Sequence, residues 1–444
     1  MARTADVSWH PSILPDVGCT YLLSVTEWGD SAGVKPNGPN ARRSIMTKNH
    51  DAAHGPLQGI KVLDLSVMIS GPLAAMMLAD QGADVIKIES PGIGDFMRYL
   101  GSAKGGMTGI FINNNRGKRS LVVDLKSPQG IDVLKKLAAT ADVVIQNFRP
   151  GAVERLGIGY EDLKTINPNL IYVSISGYGP DGPDSGHRVY DNVIQAASGL
   201  ASVQTDPRDG EPALFRTLLC DKVTSLTAAQ AISSALYARA AGNAQGQHIV
   251  LAMLDAAVAF MWPDSGMDAV LLDDDANRTP TIGQNYGITR LQDGFAAVAV
   301  VSDSEFRGLC HTFGRPELAD DERFATMAAR TMNASELVPV MTQLSAQQLT
   351  KDFVARAQSF DVPAASVVTL PELPSQPQIV NNKVFVERQH PTAGRVREPR
   401  PAARFSETPA TVGSFAPTPG EHSDEIVTEI GLDAAALRAA GVIF

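Results

Sequence analysis

Gly59-Ile60-Lys61-Val62-Leu63-Asp64-Leu65-Ser66-Val67-Met68-Ile69-Ser70-Gly71-Pro72 decides how the rest of this chain is read. Ile60–Leu65 is a short β-rich run, Leu73–Gln81 follows as a helix, and Asp84–Ile88 is a second strand, which makes a βαβ unit. Gly71-Pro72 opens the helix, with Pro in the first turn where its missing N–H costs nothing. The alternation continues through strand Ser120–Leu125, helix Gly130–Thr140, strand Asp142–Gln146, helix Tyr160–Ile166 and strand Leu170–Ser176. Such a pattern predicts an α/β fold with a Rossmann-like parallel sheet covered by helices. The turn after the first strand is where these folds bind phosphates, because N–H groups of the helix N-terminus face the crevice at the strand ends. It lacks Gly-x-Gly-x-x-Gly, so a nicotinamide dehydrogenase has little support.

Beyond the fifth strand, helical signal dominates from Asp191 to Phe260, interrupted by a turn at Gly242–Gly246 and a strand-like Gln247–Leu251. A β segment at Gly294–Val301, with helical stretches over Ser304–Phe313 and Ser335–Ser359, predicts a second, smaller α+β domain. Pro371–Pro377 reads as a linker, Phe385–Arg397 has strand character and Asp424–Ala440 helix character, so the C-terminus is expected to return to the first domain. The expected organisation is an N-terminal extension over 1–55, a large domain over 56–222, a helical linker over 223–280, a small domain over 281–370, and a C-terminal linker and return over 371–444. The extension carries Trp9 and Trp28. With Met46 standing shortly before the first strand, an upstream start-codon choice is favoured over an ordered arm anchored by those tryptophans. No internal repeat is visible.

A chain of 444 residues, 44% hydrophobic and 19% charged, can bury a substantial core in two domains. Its net charge of −10 argues against nucleic acid as the main partner. Cys19, Cys220 and Cys310 lie far apart with no Cys-x-x-Cys or Cys/His metal spacing, so neither a disulfide framework nor a zinc site is suggested, and a reducing cytoplasm fits. No apolar run reaches the roughly 18 residues of a membrane span, and the N-terminus lacks the basic-then-apolar order of a signal peptide. The expectation is a soluble protein with no membrane partner.

Cys220-Asp221-Lys222-Val223-Thr224-Ser225-Leu226-Thr227-Ala228-Ala229-Gln230 places one carboxylate where a strongly apolar helix begins. Alone, Asp221 reads as a helix cap; the sharper reading is a nucleophile. Asp191, in Arg188-Val189-Tyr190-Asp191-Asn192-Val193 after the loop Gly177–Pro183, likewise opens an apolar helix. Two carboxylates about thirty positions apart are either two caps or partners at one crevice, and spacing leaves both open. Asn113-Asn114-Asn115-Arg116-Gly117-Lys118-Arg119-Ser120 is a basic cluster, either a solvated loop or a docking place for a phosphate-bearing anion. Asn147-Phe148-Arg149-Pro150-Gly151 directly follows a strand and offers an amide and a stacking face, or simply a strand-terminating turn.

In this order, these pieces resemble the family III CoA-transferases, the group containing formyl-CoA, carnitine and bile-acid CoA-transferases. The likeness covers residues 57 to 444. It rests on Gly59–Ser66, Gly82-Ala83-Asp84-Val85-Ile86-Lys87-Ile88-Glu89, Asn115–Ser120, Asp142–Gly151, Ser176-Gly177-Tyr178-Gly179, Tyr190–Val193 and Cys220-Asp221-Lys222. The resemblance implies a large Rossmann-like domain and a small domain joined by linkers, each monomer a ring threaded through its partner in an interlocked homodimer. It places the nucleophile on Asp221, with Asp191 nearby. Cofactor contacts carried over from formyl-CoA transferase fall on Met68, Ile69, Val123, Asp124, Leu125, Lys126, Asn147, Phe148, Arg155 and Arg188. The substrates would be an acyl-CoA thioester and a free carboxylic acid, with no permanently bound cofactor and no metal.

Two departures bear on the acyl group. Formyl-CoA transferase has a glutamine where this chain has Ile69 and an arginine where it has Ser90, and its small-domain glycine run is absent, which implies a larger or less polar acyl group. The related α-methylacyl-CoA racemases use a Gly-His-Asp segment in which Tyr190 stands for the His here, and tyrosine is a poor proton shuttle near pH 7. A racemase is therefore the runner-up, and a non-catalytic CoA-binding module a third reading. For the transferase, the glycine loop Gly177–Gly182 is the suggested source of oxyanion donors.

Overall fold

The computed structural model of the protein describes residues 55–206, 210–279 and 281–444. Nearly all of the expected N-terminal extension, with Trp9, Trp28 and Cys19, lies outside these residues. Six strands form one parallel sheet: β1 (Lys61–Asp64), β2 (Asp84–Glu89), β3 (Lys118–Val122), β4 (Val143–Gln146), β5 (Ile171–Ser176) and β6 (Gln247–Ala252). Their order is β3-β2-β1-β4-β5-β6. The direction of winding reverses between β1 and β4, and the crevice outside their carboxyl ends is where such sheets take ligands. The Rossmann-like expectation therefore has its counterpart in a six-stranded parallel sheet.

Helices cover both faces. On one, α1 (Ser70–Asp80) lies under the longer α5 (Leu219–Ala240), with α2 (Pro128–Ala138) and α3 (Tyr160–Ile166) on the other; α4 (Asp191–Ala197) and α6 (Met253–Ser265) flank α5. The contact between α1 and α5 works because both are built of small residues at their meeting face. Ala74, Ala75, Ala228 and Cys220 are fully or almost fully buried there with Leu78 and Ile232. Of residues 223–280, expected as a helical linker, 223–265 supply most of α5, the sixth strand and α6.

Several boundaries moved for physical reasons. Strand β3 begins at Lys118 rather than Ser120, because Lys118 and Arg119 occupy ladder positions opposite Val85 and Ile86 while carboxylates satisfy their charges. The helical run Ser335–Ser359 breaks into Ala334–Ser345 and Thr350–Ser359, since Asp293 caps the second piece by accepting the Thr350 N–H at 2.7 Å. Asp424–Ala440 divides at Gly431, whose φ of 74° suits only the left-handed region, and Asp433 caps the helix that follows. The smaller α+β part has an antiparallel sheet of Ile288–Arg290, Phe295–Val298 and Ala364–Ser366, with the middle strand central. Phe385–Arg397 is a hairpin, and Pro371–Pro377 holds a short 3-10 turn. No described helix is long and apolar enough to cross a membrane.

The C-terminus does return to the large sheet. Asp124 donates its N–H to Val442 O (2.9 Å), Phe444 donates to Val122 O (3.1 Å), and Ile443 bridges antiparallel to Val123. Edge strand β3 is thereby covered along its exposed side. Ile426, Val427 and Ile443 are fully buried beside Leu121 and Leu63. Ile443→Ala should consequently cost about 2–4 kcal/mol in urea unfolding, whereas a mere dangling tail would leave the midpoint unchanged.

Candidate active site

Asp221 sits in the first turn of α5, half-buried, and faces Ser70, the first residue of α1. The Ser70 N–H and hydroxyl face the Asp221 carboxylate and favour its charged form. Ser225, one turn along α5, places its hydroxyl 2.8 Å from both Ser70 O and Asp221 O. The two helix starts are thus stitched together at the carboxyl edge of the sheet. Gly71 lets the turn before α1 close on itself, since a Cβ there would fall 2.2 Å from Ser66 Oγ.

Asp191 completes the junction. It is 3% exposed, and its Oδ1 accepts the backbone N–H of Asp221 at 2.9 Å. Its Oδ2 accepts from Gln195 Nε2 at 2.6 Å, and Gln195 also binds Phe215 N, Phe215 O and Thr217 O on the strand of chain entering α5. The two alternatives left open by sequence spacing therefore merge. Asp191 is a cap, but for helix α5 rather than its own, and by capping it meets Asp221.

This placement sets the electrostatics. Burial, then the Asp191 charge, push the Asp221 carboxyl up to about 6, against the pull of the Ser70 hydrogen bonds. The charged form favoured by a helix N-terminus is outweighed here, though ionisation still prevails at pH 7. The neighbouring Cys220 thiol, fully buried, is pushed up to about 12 by burial and by the same two carboxylates, which leaves it inert as a nucleophile.

The turn that delivers Ser70 is fixed by buried charge. Asp64, fully buried, accepts the Ser66 N–H and hydroxyl and pairs with Lys118 Nζ at 2.7 Å; Lys118 also reaches Pro72 O and Asn115 Oδ1, each at 2.8 Å. Lys87 Nζ donates to Ser66 O (3.0 Å) and pairs with Asp95 (2.8 Å), whose other oxygen takes the Met68 N–H at 3.2 Å. Asn147 grips Val67 from both sides, accepting its N–H at 2.9 Å and donating to its carbonyl at 2.8 Å. These contacts hold Met68 at φ 67°, a conformation that a long side chain rarely adopts unaided.

The basic cluster around Arg116 requires a correction. Arg116 and Lys118 are 2% and 1% exposed; Arg116 forks onto Asp80, and Arg119 pairs with Asp84, Glu425 and Glu429. The run is neither a solvated loop nor a free anion-docking surface, because carboxylates of the fold neutralise it.

The residues expected to hold the cofactor all lie at the carboxyl edge of the sheet or in loops leaving it, but their side chains differ in what they offer. Lys126, Arg155 and Arg188 are exposed, and Phe148 is half-buried against the core. Met68 is half-buried; Ile69 is 4% exposed and packs with Met97 and Phe111. Val123 is buried beside Leu121, Leu125 packs on the same core, and Asp124 accepts the Lys126 N–H at 2.9 Å. Asn147 has its amide engaged on Val67. Ser70, Ser225 and Gln195 were not expected; only Ser70, at a helix start, carried a local signal. A groove of about 760 Å³ runs along α4 and α6, lined by Ala197, Leu254, Val258, Ala259 and Trp262 among others, and Asp221 is not part of it.

The family model described as CoA-transferase family III matches residues 57–423. Human succinyl-CoA:glutarate CoA-transferase is 32% identical over 379 residues, covering 84% of this chain and 86% of that protein. Succinate–glutarate CoA-transferase of Agrobacterium fabrum is 34% identical over 388 residues, covering 84% of this chain and 96% of its own. The crystal structure of a CAIB/BAIF family protein from Brucella suis matches with a TM-score of 0.75 at 33% identity, covering 85% of this chain and all of that one.

A raised carboxyl predicts a stability signature. The folded state holds the Asp221 proton more tightly than the unfolded chain, whose carboxyl titrates near the ordinary 3.8, so the cost of ionising it is absent below about pH 4 and complete above about pH 6. The shift corresponds to roughly 1–3 kcal/mol once partial solvent access is allowed for. Asp221→Asn should accordingly unfold at higher denaturant than wild type at pH 7.5 and at the same concentration at pH 4.

Proposed function

From the premise that the chain belongs to CoA-transferase family III, we propose that it moves CoA from an acyl-CoA donor to a free carboxylic acid through a covalent intermediate on Asp221. The observation that carries this reading is the junction itself: a half-buried carboxylate with a raised pKa, oriented by Asp191 and met by two Ser70 donors at the switch-point edge of the sheet. The names of the relatives favour short dicarboxylic acids such as succinate and glutarate as acyl groups. They fit the expectation of a group larger than formyl.

The Asp221 carboxylate attacks the thioester carbonyl of the donor; a C–O bond forms, the C–S bond breaks, and CoA leaves as thiolate from a mixed anhydride. The thiolate then attacks the aspartyl carbonyl, forming a thioester and releasing the donor acid. The acceptor carboxylate attacks that thioester to give a second anhydride and free thiolate. Thiolate attack on the acceptor acyl carbon yields the new acyl-CoA and regenerates Asp221. CoA stays docked throughout, which is worth about 7–11 kcal/mol of barrier. Lys126, Arg155 and Arg188 suit its phosphates, and Phe148 a stacked base.

Ser70 gives the second and third steps their electrostatics. When the thiolate, and then the acceptor carboxylate, adds to the aspartyl carbonyl, negative charge grows on an oxygen that the Ser70 N–H and hydroxyl face. Asp191 is a positioning residue, holding the main chain of the nucleophile. The resemblance also carries an interlocked homodimer, and the exposed apolar side chains of α5 and α6 and of the segment beyond, including Leu226, Tyr237, Phe260, Trp262 and Leu272, support it.

Asp221→Ala should abolish transfer while CoA still binds; near-normal turnover in that variant would remove Asp221 from the mechanism. Hydroxylamine should convert Asp221 of acyl-CoA-treated wild type to a hydroxamate, visible by peptide mass spectrometry. Because the nucleophile must be ionised, kcat/KM should fall about tenfold per unit below pH 6 and stay flat above it; a profile flat to pH 5 would contradict the assignment.

A further inference from the structure

We infer that Arg216 reads the far carboxylate of a dicarboxylic acceptor, so that acceptor specificity is built into the short segment entering α5. The inference rests on the transfer reading above and adds to it the residue that selects the acid.

Arg216 is exposed and, among the described residues, makes no hydrogen bond or ion pair. Arg98, Arg116, Arg119 and Arg239 end on carboxylates, whereas Arg216 shares its unpaired state with Arg155 and Arg188 and differs from them in standing on the segment that leads into α5. Its backbone, by contrast, is held on both sides. Gln195 accepts the Phe215 N–H at 2.9 Å and donates to Phe215 O and Thr217 O, each at 3.2 Å. Lys222 Nζ holds the Thr217 hydroxyl at 2.5 Å, and Leu219 N folds back onto Thr217 O at 2.8 Å as the chain turns into the helix. With the main chain fixed and the guanidinium unengaged, only the side chain of Arg216 remains to be ordered on binding.

The same glutamine ties this arm to the chemistry. Gln195 donates to Asp191, and Asp191 accepts the Asp221 N–H, so two hydrogen-bonded side chains fix the base of Arg216 relative to the main chain of the nucleophile. The reach is short. Three Cα steps from Arg216 to Leu219 span at most about 11 Å, and the two helical steps on to Asp221 advance about 3 Å along the axis. An acid whose near carboxylate reacts at Asp221 would extend its far carboxylate over that gap, where the planar fork of an arginine matches two carboxylate oxygens at once. A monocarboxylic acid of equal length would leave the guanidinium unpaired and gain nothing from it.

The test uses the full-length enzyme with succinyl-CoA as donor and two acceptors of matched length, glutarate and valerate. In a double-displacement scheme, kcat/KM for the acceptor reports only the second half-reaction, so any effect on the donor is kept apart. Wild type should prefer glutarate. Arg216→Gln should lower kcat/KM for glutarate by about ten- to hundredfold, mainly through KM, and leave valerate unchanged; Arg216→Lys should recover part of the loss. Equal losses on both acids would overturn the inference, as would a wild type indifferent between them. Weaker binding of free CoA to Arg216→Gln by calorimetry would assign the residue to the nucleotide instead and equally overturn it. Transfer persisting in Asp221→Ala is a different outcome, striking the covalent mechanism while leaving the acceptor comparison standing.

Discussion

The hydrogen bond from the Asp221 main chain to the Asp191 carboxylate, 2.9 Å long, is the constraint on which the site depends. It joins two elements whose chain positions are thirty residues apart, and it places one negative charge beside another inside a partly desolvated pocket. Two opposing effects follow from that one contact. The capping bond stabilises the start of α5, while the charge it brings holds the Asp221 carboxyl above its ordinary range. A cap made by a neutral side chain would supply the first effect without the second. An acidic cap makes Asp221 more basic, which is what the proposed attack on a carbonyl would use, at the expense of stability that the α1–α5 packing has to supply.

That packing is itself conditional on the turn before α1. Ser70 meets Asp221 only because Met68 is held in a left-handed conformation and Gly71 leaves room for Ser66. The charges beneath, Asp64, Lys87, Asp95 and Lys118, are almost fully excluded from water, and burial pulls the Lys118 ammonium down to about 8 although Asp64 supports it. Buried ion pairs contribute little to net stability compared with an apolar core of the same shape. What they provide here is geometry: Asp64, Lys87 and Asp95 hold the main chain of Ser66 and Met68, Lys118 holds Pro72 O, and Asn147 adds two bonds to Val67. The same logic accounts for Asn147 itself, whose two bonds to Val67 set one wall of the crevice at the switch point.

How much of this could be read from sequence follows from the range of each interaction. The sheet was legible because its strands are short runs rich in Val, Ile and Leu separated by helices of ordinary length, and the carboxyl edge then followed from topology. Lys118 and Arg119 hid the start of β3, since a charge pattern says polar whether the partner is water or a buried Asp64. The three-residue strands of the small sheet are too short to show a period. Asp221 and Asp191 were both visible as helix starts, yet nothing local says that one caps the other's helix. Ser225 and Gln195 looked like ordinary helix residues because their partners, Ser70 and Phe215, are fixed by tertiary packing.

For the proposed transfer, Gly177 and Ser70 differ in what packing leaves them to offer as oxyanion donors. A glycine-rich loop after the fifth strand suggests free backbone N–H groups, and Gly177–Gly182 has that composition. In the fold Gly177 lies tight against Val189, where a Cβ would come within 2.3 Å, and its carbonyl accepts from Leu254. That glycine serves close packing. Ser70 instead presents a backbone N–H and a hydroxyl to the carboxylate, and it does so from the end of a helix whose dipole favours negative charge at that point. An anion-stabilising site built at a helix start needs no glycine at all, only a rigid turn to aim it and a small neighbour to let that turn close. Here the turn is fixed by Asp64, Asp95 and Asn147, and Gly71 is the small neighbour.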